Sequence, residues 1–265
     1  MLARNIKFKS LSSILGTAIA IGSVIGAVVP VNAQPNNNRE RNNRESATIT
    51  NNGLPSHRRD GGTRSSCVVD SREFVALVPN TAVSLTASSN PKLYFHVPQT
   101  SQSQIIEFVL RDRQDRLVYE TFIETKGQSG IMSVEIPLFT NERSKSLDSI
   151  TDYHWYLSYI CNSEQRSQDL VLEGWIDLVE LPKTTKDKLK TLTLTEQANF
   201  YRQQGIWHDA LATAAHQLQT QSENNFQLQW SEFLNEIGLD EFVTKPLIER
   251  NEAEEVIGNE FFNNN

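Results

Sequence analysis

The side chains with chemistry to offer are five histidines, two cysteines and a scatter of carboxylates, and their spacing limits what they can do together. His208 and His216 stand eight residues apart on a stretch that reads as helix. That is roughly two turns, too far for one metal without bridging ligands. His57 lies in a polar segment, while His96 and His154 fall on expected strands, opposite the main apolar rows. Surface or hydrogen-bonded histidines are expected, and no metal site. No glycine-rich phosphate loop follows a strand, and no Gly-x-Ser-x-Gly elbow occurs. The expectation is a chain that is not an enzyme, without catalytic residues or cofactor. Asp112 and Asp115 sit among three arginines and read as a solvated turn. Glu173 and Asp177 flank Trp175 on one strand face. Two readings stand there: a tryptophan between acids that stacks on a sugar ring, and, favoured, a core tryptophan under helices with the acids at its edge. Cys67 and Cys161 lack a Cys-x-x-Cys spacing, so a structural bond is favoured over redox chemistry, with two buried free thiols as the alternative.

The elements that must position these residues are legible in the periodicity. From residue 67 to about 181, short β-branched and aromatic runs recur at the spacing of an all-β domain. Strands are expected at 73–78, 83–86, 92–97, 105–111, 117–124, 132–136, 153–161 and 170–179. Residues 112–116 form a charged hairpin tip. Leu93, Phe95 and Val97 face one way and Lys92, Tyr94 and His96 the other, as on a strand with one wet face. The strands at 153–161 and 170–179 carry apolar residues on both faces, so they should be covered twice. Leu147 and Tyr153 have the spacing of a tyrosine corner, in which the hydroxyl bonds back to the connecting loop.

After residue 181 the period becomes helical. Thr193 and Glu196 have the capping-box spacing for a helix ending near Gly205. Further helices are expected at about 207–219, 226–237 and 240–250. Ala198, Tyr201, Gly205, Trp207 and Ala210 fall where a tetratricopeptide repeat places its small residues, aromatics and turn glycine. One such hairpin makes no solenoid groove. It is expected instead to cover the two-faced strands, with Trp175 beneath it. The fold class is therefore α+β by segregation: an immunoglobulin-like antiparallel β-sandwich (67–181), then a helical segment packed on it (182–250) and a disordered acidic tail (251–265).

Ahead of the fold, residues 1–33 read as a signal peptide. Arg4, Lys7 and Lys9 precede an uncharged apolar stretch, and Val31-Asn32-Ala33 offers a cleavage site. An uncleaved anchor is the competing reading. No later run is long and apolar enough to span a bilayer. Residues 34–66, rich in Asn and Arg, read as a disordered tether. The whole chain has 25 basic and 32 acidic residues. Removing leader and tether leaves a globular part near −13, which repels phosphates and excludes nucleic acid as a partner. An oxidising compartment favours pairing of Cys67 with Cys161. That bond would close a loop of about 94 residues, on the order of 4–5 kcal/mol of stabilisation by chain entropy.

Several strings gather these features: Arg58-Arg59-Asp-Gly-Gly-Thr-Arg64, Phe74-Val-Ala-Leu-Val-Pro79, Glu107-Phe-Val-Leu-Arg-Asp112 and Tyr153-His-Trp-Tyr156. Val171-Leu-Glu-Gly-Trp-Ile176 and Gly205-Ile-Trp-His-Asp-Ala-Leu211 complete them. Together they resemble the exported cyanobacterial proteins grouped as domain of unknown function 928, over roughly residues 58–247. The Glu-Gly-Trp-Ile and Gly-Ile-Trp-x-Asp-Ala-Leu strings are the most specific, and the tether here has fewer glycines than the family's. The resemblance implies an envelope location and a shared two-part fold, and transfers no reaction or catalytic residue. The function expected is a non-catalytic extracytoplasmic binding or assembly module with an envelope protein or glycan as partner. The alternatives are a glycan-binding domain using Trp175 or the Tyr94/His96 face, and an unrecognised hydrolase.

Overall fold

The computed structural model describes residues 56–59, 70–81, 83–138, 153–220 and 224–248. The leader, most of the tether, Cys67, Leu147 and the acidic tail lie outside them. Eight strands precede four helices: β1 (Val75–Ala76), β2 (Val83–Thr86), β3 (Lys92–Val97), β4 (Ile105–Arg111), β5 (Leu117–Glu124), β6 (Gly130–Glu135), β7 (Tyr153–Ile160) and β8 (Leu170–Leu178), then α1 (Lys183–Leu189), α2 (Leu194–Gln203), α3 (Trp207–Thr220) and α4 (Asn224–Glu236). The chain is α+β, with strands before helices. The helix expected near 240–250 is instead a 3-10 turn, Asp240–Phe242, followed by further turn residues and then Leu247, which forms a parallel bridge to Ile131.

The strands form two sheets, β1-β3-β6 and β2-β8-β7-β4-β5. All named pairings are antiparallel except β2 with β8, which is parallel. One core lies between the sheets, filled by the inward rows of both: Leu93, Phe95 and Val97 against Phe108, Trp155, Leu157 and Ile176. The tip between β4 and β5 is held by Asp112, whose carboxylate accepts from the backbone N–H of Gln114 (2.9 Å) and Arg116 (3.0 Å).

A second core lies on the outer face of the three-stranded sheet. Val75, Leu77, Tyr94 and Ile131 pack there against Trp207, Leu211, Trp230, Phe233 and Phe242. This corrects two expectations. The helices cover the small sheet rather than the strands at 153–161 and 170–179. The Tyr94/His96 face is therefore dry: Tyr94 is 7% and His96 0% exposed. The imidazole of His96 lies 4.7 Å from the Phe242 ring, its Nδ1 2.6 Å from the Glu73 carbonyl. Tyrosine and histidine read as a wet row by alternation, but each has an apolar body that a helix can cover once its polar tip is bonded.

The helical hairpin begins as its capping box prescribes. Thr193 Oγ1 accepts from Glu196 N–H, and Glu196 accepts from Thr193 N–H (2.8 Å). Gly205, at φ +73°, turns the chain between α2 and α3. Ala198 and Ala210 are fully buried, which lets the two helices approach.

Candidate functional site

The outward row of β8 meets the outward row of β7 one register position at a time: Glu173 opposite Tyr156, Trp175 opposite His154. These four side chains interlock. The His154 ring stacks on Trp175 at 4.2 Å and 13°. Tyr156 Oη lies 2.9 Å from His154 Nδ1, while His154 Nε2 lies 3.1 Å from Glu173 Oε2, an ion-pair contact not aligned as a hydrogen bond. The other oxygen of Glu173 lies 2.9 Å from Nδ1 of His57. One carboxylate thus sits between two imidazoles. Burial pushes the His154 pKa down, and the negative charge of Glu173 opposes that. Burial first, then the same carboxylate, raises the Tyr156 phenol.

His57 belongs to residues 56–59, which composition placed in the tether and which are docked here. His57 exchanges two backbone hydrogen bonds with Glu173, and Arg59 bridges Val75. Beside the segment a cleft runs between the sheets, lined by Arg58, Asn80, Ser84, Trp155, Gly174 and Trp175, with room for little more than one water molecule. The indole N–H of Trp155, 1% exposed, has no partner there.

Of the candidate ligand residues, Trp175 is half-buried and lies against His154 rather than beneath the helices, which corrects the core reading. Glu173 joins it, and half-buried Asp177 stands further along the same face, opposite Leu85. Tyr153 is buried, with its hydroxyl 3.5 Å from the Leu138 carbonyl, at the start of the connection in which Leu147 lies.

Sequence reasoning missed a buried polar clamp under α3. His208 Nε2 lies 2.6 Å from Ser84 Oγ and its Nδ1 3.3 Å from the Lys92 carbonyl. The Lys92 carbonyl can only accept, so in the neutral ring Nδ1 carries the proton, and the one Ser84 hydroxyl proton serves either Nε2 or the Trp175 carbonyl, 3.1 Å away. Burial holds the His208 pKa down at about 4. Next to it Asp209 accepts from the Thr86 hydroxyl (2.7 Å) and Ala87 N–H (2.9 Å), while burial raises its pKa. Trp207 donates its indole N–H to the Leu77 carbonyl at 2.8 Å. The Ser84–His208 distance is that of a nucleophile and its base. However, both side chains are buried and the adjoining cleft admits about one water, so the pair fastens β2 to α3. The signal was the Trp207-His-Asp209 run itself, whose three polar groups all face the sheets. Trp207→Phe keeps the packing and strands the Leu77 carbonyl. A loss of about 1–2 kcal/mol in urea unfolding is expected.

Among the described residues no group of three or more His, Cys, Asp or Glu side chains is placed to hold a metal. No helix there is long and apolar enough to cross a membrane. Cys161 is half-buried just past the end of β7.

A search of the curated proteins finds no match. The family described as Domain of Unknown Function (DUF928) matches residues 59–247, which span β1 to β8, all four helices and both the Glu173 cluster and the His208 clamp. The chain belongs to that family.

Proposed function

We propose that this chain is an exported, non-catalytic binding or assembly module of the cell envelope, and that it holds its partner at the Glu173-centred patch on the outer face of the five-stranded sheet. The observation that supports this is the interlocked set of Tyr156, His154, Glu173 and Trp175 beside a small cleft, away from the core beneath α3 and α4. A carboxylate held by two imidazoles is pre-organised, which lowers the ordering cost of a contact. The leader's composition supports export, and export supports a Cys67–Cys161 disulfide. The strand order, three in one sheet and a β2-β8-β7-β4-β5 sheet opposite, supports an immunoglobulin-like sandwich. The α2–α3 pair supports a hairpin like one tetratricopeptide repeat.

Affinity capture from an envelope fraction tests the reading. The wild-type chain should recover a specific partner that Glu173→Ala with Tyr156→Ala loses at least about tenfold. Recovery of the same proteins by both, or of none, counts against it. A glycan partner is the second reading, supported by Trp175 held rigid on His154 with Glu173 at its side. Sedimentation with peptidoglycan should then fall sharply in Trp175→Ala, and an absence of wild-type sedimentation removes it.

A further inference from the structure

Residues 56–59 are held almost wholly by polar contacts, in the way a bound peptide is held. His57 N–H donates to the Glu173 carbonyl at 2.9 Å, and Glu173 N–H donates back at 3.0 Å. The Arg58 carbonyl accepts from Ala76 N–H at 2.9 Å. The segment therefore pairs with β8 of one sheet and β1 of the other. The Arg58 guanidinium donates to the carbonyls of Val78 (3.0 Å) and Ile237 (2.8 Å). Ile237 follows α4, so its carbonyl is a helix-end acceptor in need of a donor. Arg59 pairs with Glu241 and lies 5.4 Å over the Phe242 ring. The His57 side chain is 66% exposed. Nothing in the segment is an apolar anchor, so its local opening free energy lies well below that of the core strands.

We propose that residues 56–59 are a detachable strap, and that the groove they occupy is an acceptor site for an extended basic peptide of a partner, bound by strand addition. The proposal rests on the binding-module reading and names its partner class. The chemistry of the groove selects that class. The backbone of β8 at Glu173 and of β1 at Ala76 offers strand-type hydrogen bonds. The Val78 and Ile237 carbonyls and the Glu173 and Glu241 carboxylates form a rim of acceptors that matches positive charge. Nη1 of Arg58 serves both carbonyls, so a single cationic nitrogen with two N–H groups reads the pair. In the intact chain the strap competes in cis at an effective concentration on the order of millimolar. A free peptide therefore binds only when the strap is loosened.

The test uses a fluorescent synthetic peptide spanning residues 54–61, titrated into the full chain with and without Arg58→Ala and Arg59→Ala. Saturable binding to the double variant, at least about tenfold tighter than to wild type, supports the strap. No binding to a double variant whose melting transition matches wild type overturns it. Hydrogen exchange on the wild-type chain gives an answer that does not depend on a variant folding. The His57, Ala76 and Glu173 amides, all bonded across the strap, should exchange about a hundredfold faster than amides within β4 and β7. Equal protection would overturn the proposal, since the strap would then open only with the whole fold. If a Glu173-dependent partner is captured and this peptide fails to compete for it, the strap proposal falls while the binding reading stands.

Discussion

Gly174→Ala is expected to destabilise the fold by about 3 kcal/mol, the upper range for an overpacked core position. The reason is steric. A methyl group at residue 174 would meet Trp155 Cζ2 at 2.5 Å and Cε2 at 2.9 Å, closer than carbon atoms approach one another. Trp155 is opposite Gly174 in the β7–β8 register and is 1% exposed, so its ring has only the one-water cleft beside it to move into. For a domain of this size the loss corresponds to roughly 6–12 °C in melting temperature. Gly205→Ala is the control. That residue also has no side chain, but a methyl there meets nothing within 4 Å and only the positive φ opposes it. A loss of about 1 kcal/mol is expected there. Equal losses at the two positions would show that the Trp155 contact does not govern residue 174.

Acid should weaken the fold well before its carboxylates are neutralised. The pKa of His208 falls from 6.5 to about 4 because burial disfavours the cation. Burial also lowers His96 and His154. A histidine whose folded pKa is depressed contributes stability that is fully present above the unfolded pKa and lost as pH falls through the folded value. Between pH 6.5 and 4 the unfolded chain takes up a proton at His208 that the folded chain refuses. The loss from this residue alone is about 3 kcal/mol, at 1.36 kcal/mol per pKa unit. Urea midpoints measured from pH 7.5 to 4 should therefore decline below pH 6.5. His208→Gln should start lower, through the broken Ser84 bond, and decline less steeply. Parallel curves for the two proteins would refute a neutral buried His208.

Much of the β domain was legible because its signals are local. Strands β2, β3, β4 and β5 begin and end where alternation and turn residues place them. Asp112 and Thr193 announce their turn and cap through side chains that bond within four residues. What sequence could not give was the cover. Trp175 looked like core because β8 is apolar on both faces, yet the helices settled on Tyr94 and His96, whose polar tips disguised a buried row. Glu173 and Trp175 were visible as neighbours on one strand. Their partners His154, Tyr156 and His57 come from another strand and from a segment 116 residues away. The strap escaped notice because Ser-His-Arg-Arg carries no apolar pattern and docks through main-chain groups and guanidinium donors. Composition is blind to those contacts.

The parallel pairing of β2 with β8 has a kinetic implication. Ser84 Oγ stands 3.1 Å from the Trp175 carbonyl, 91 residues away, and 2.6 Å from His208, 124 away, and Arg58 reaches Ile237 across 179. A ribosome, or a translocation pore delivering the chain amino end first, releases β2 long before any of its neighbours exist. The β4–β5 hairpin can close early, but loop entropy makes the distant pairings late. Until β8 emerges β2 has no strand to lie against, and until α3 and α4 follow, the outer face of the three-stranded sheet stays bare. A nascent chain stalled before Trp207 would then be sticky and incomplete, a natural client for a holdase. Completion would come when the last helices arrive and close the second core.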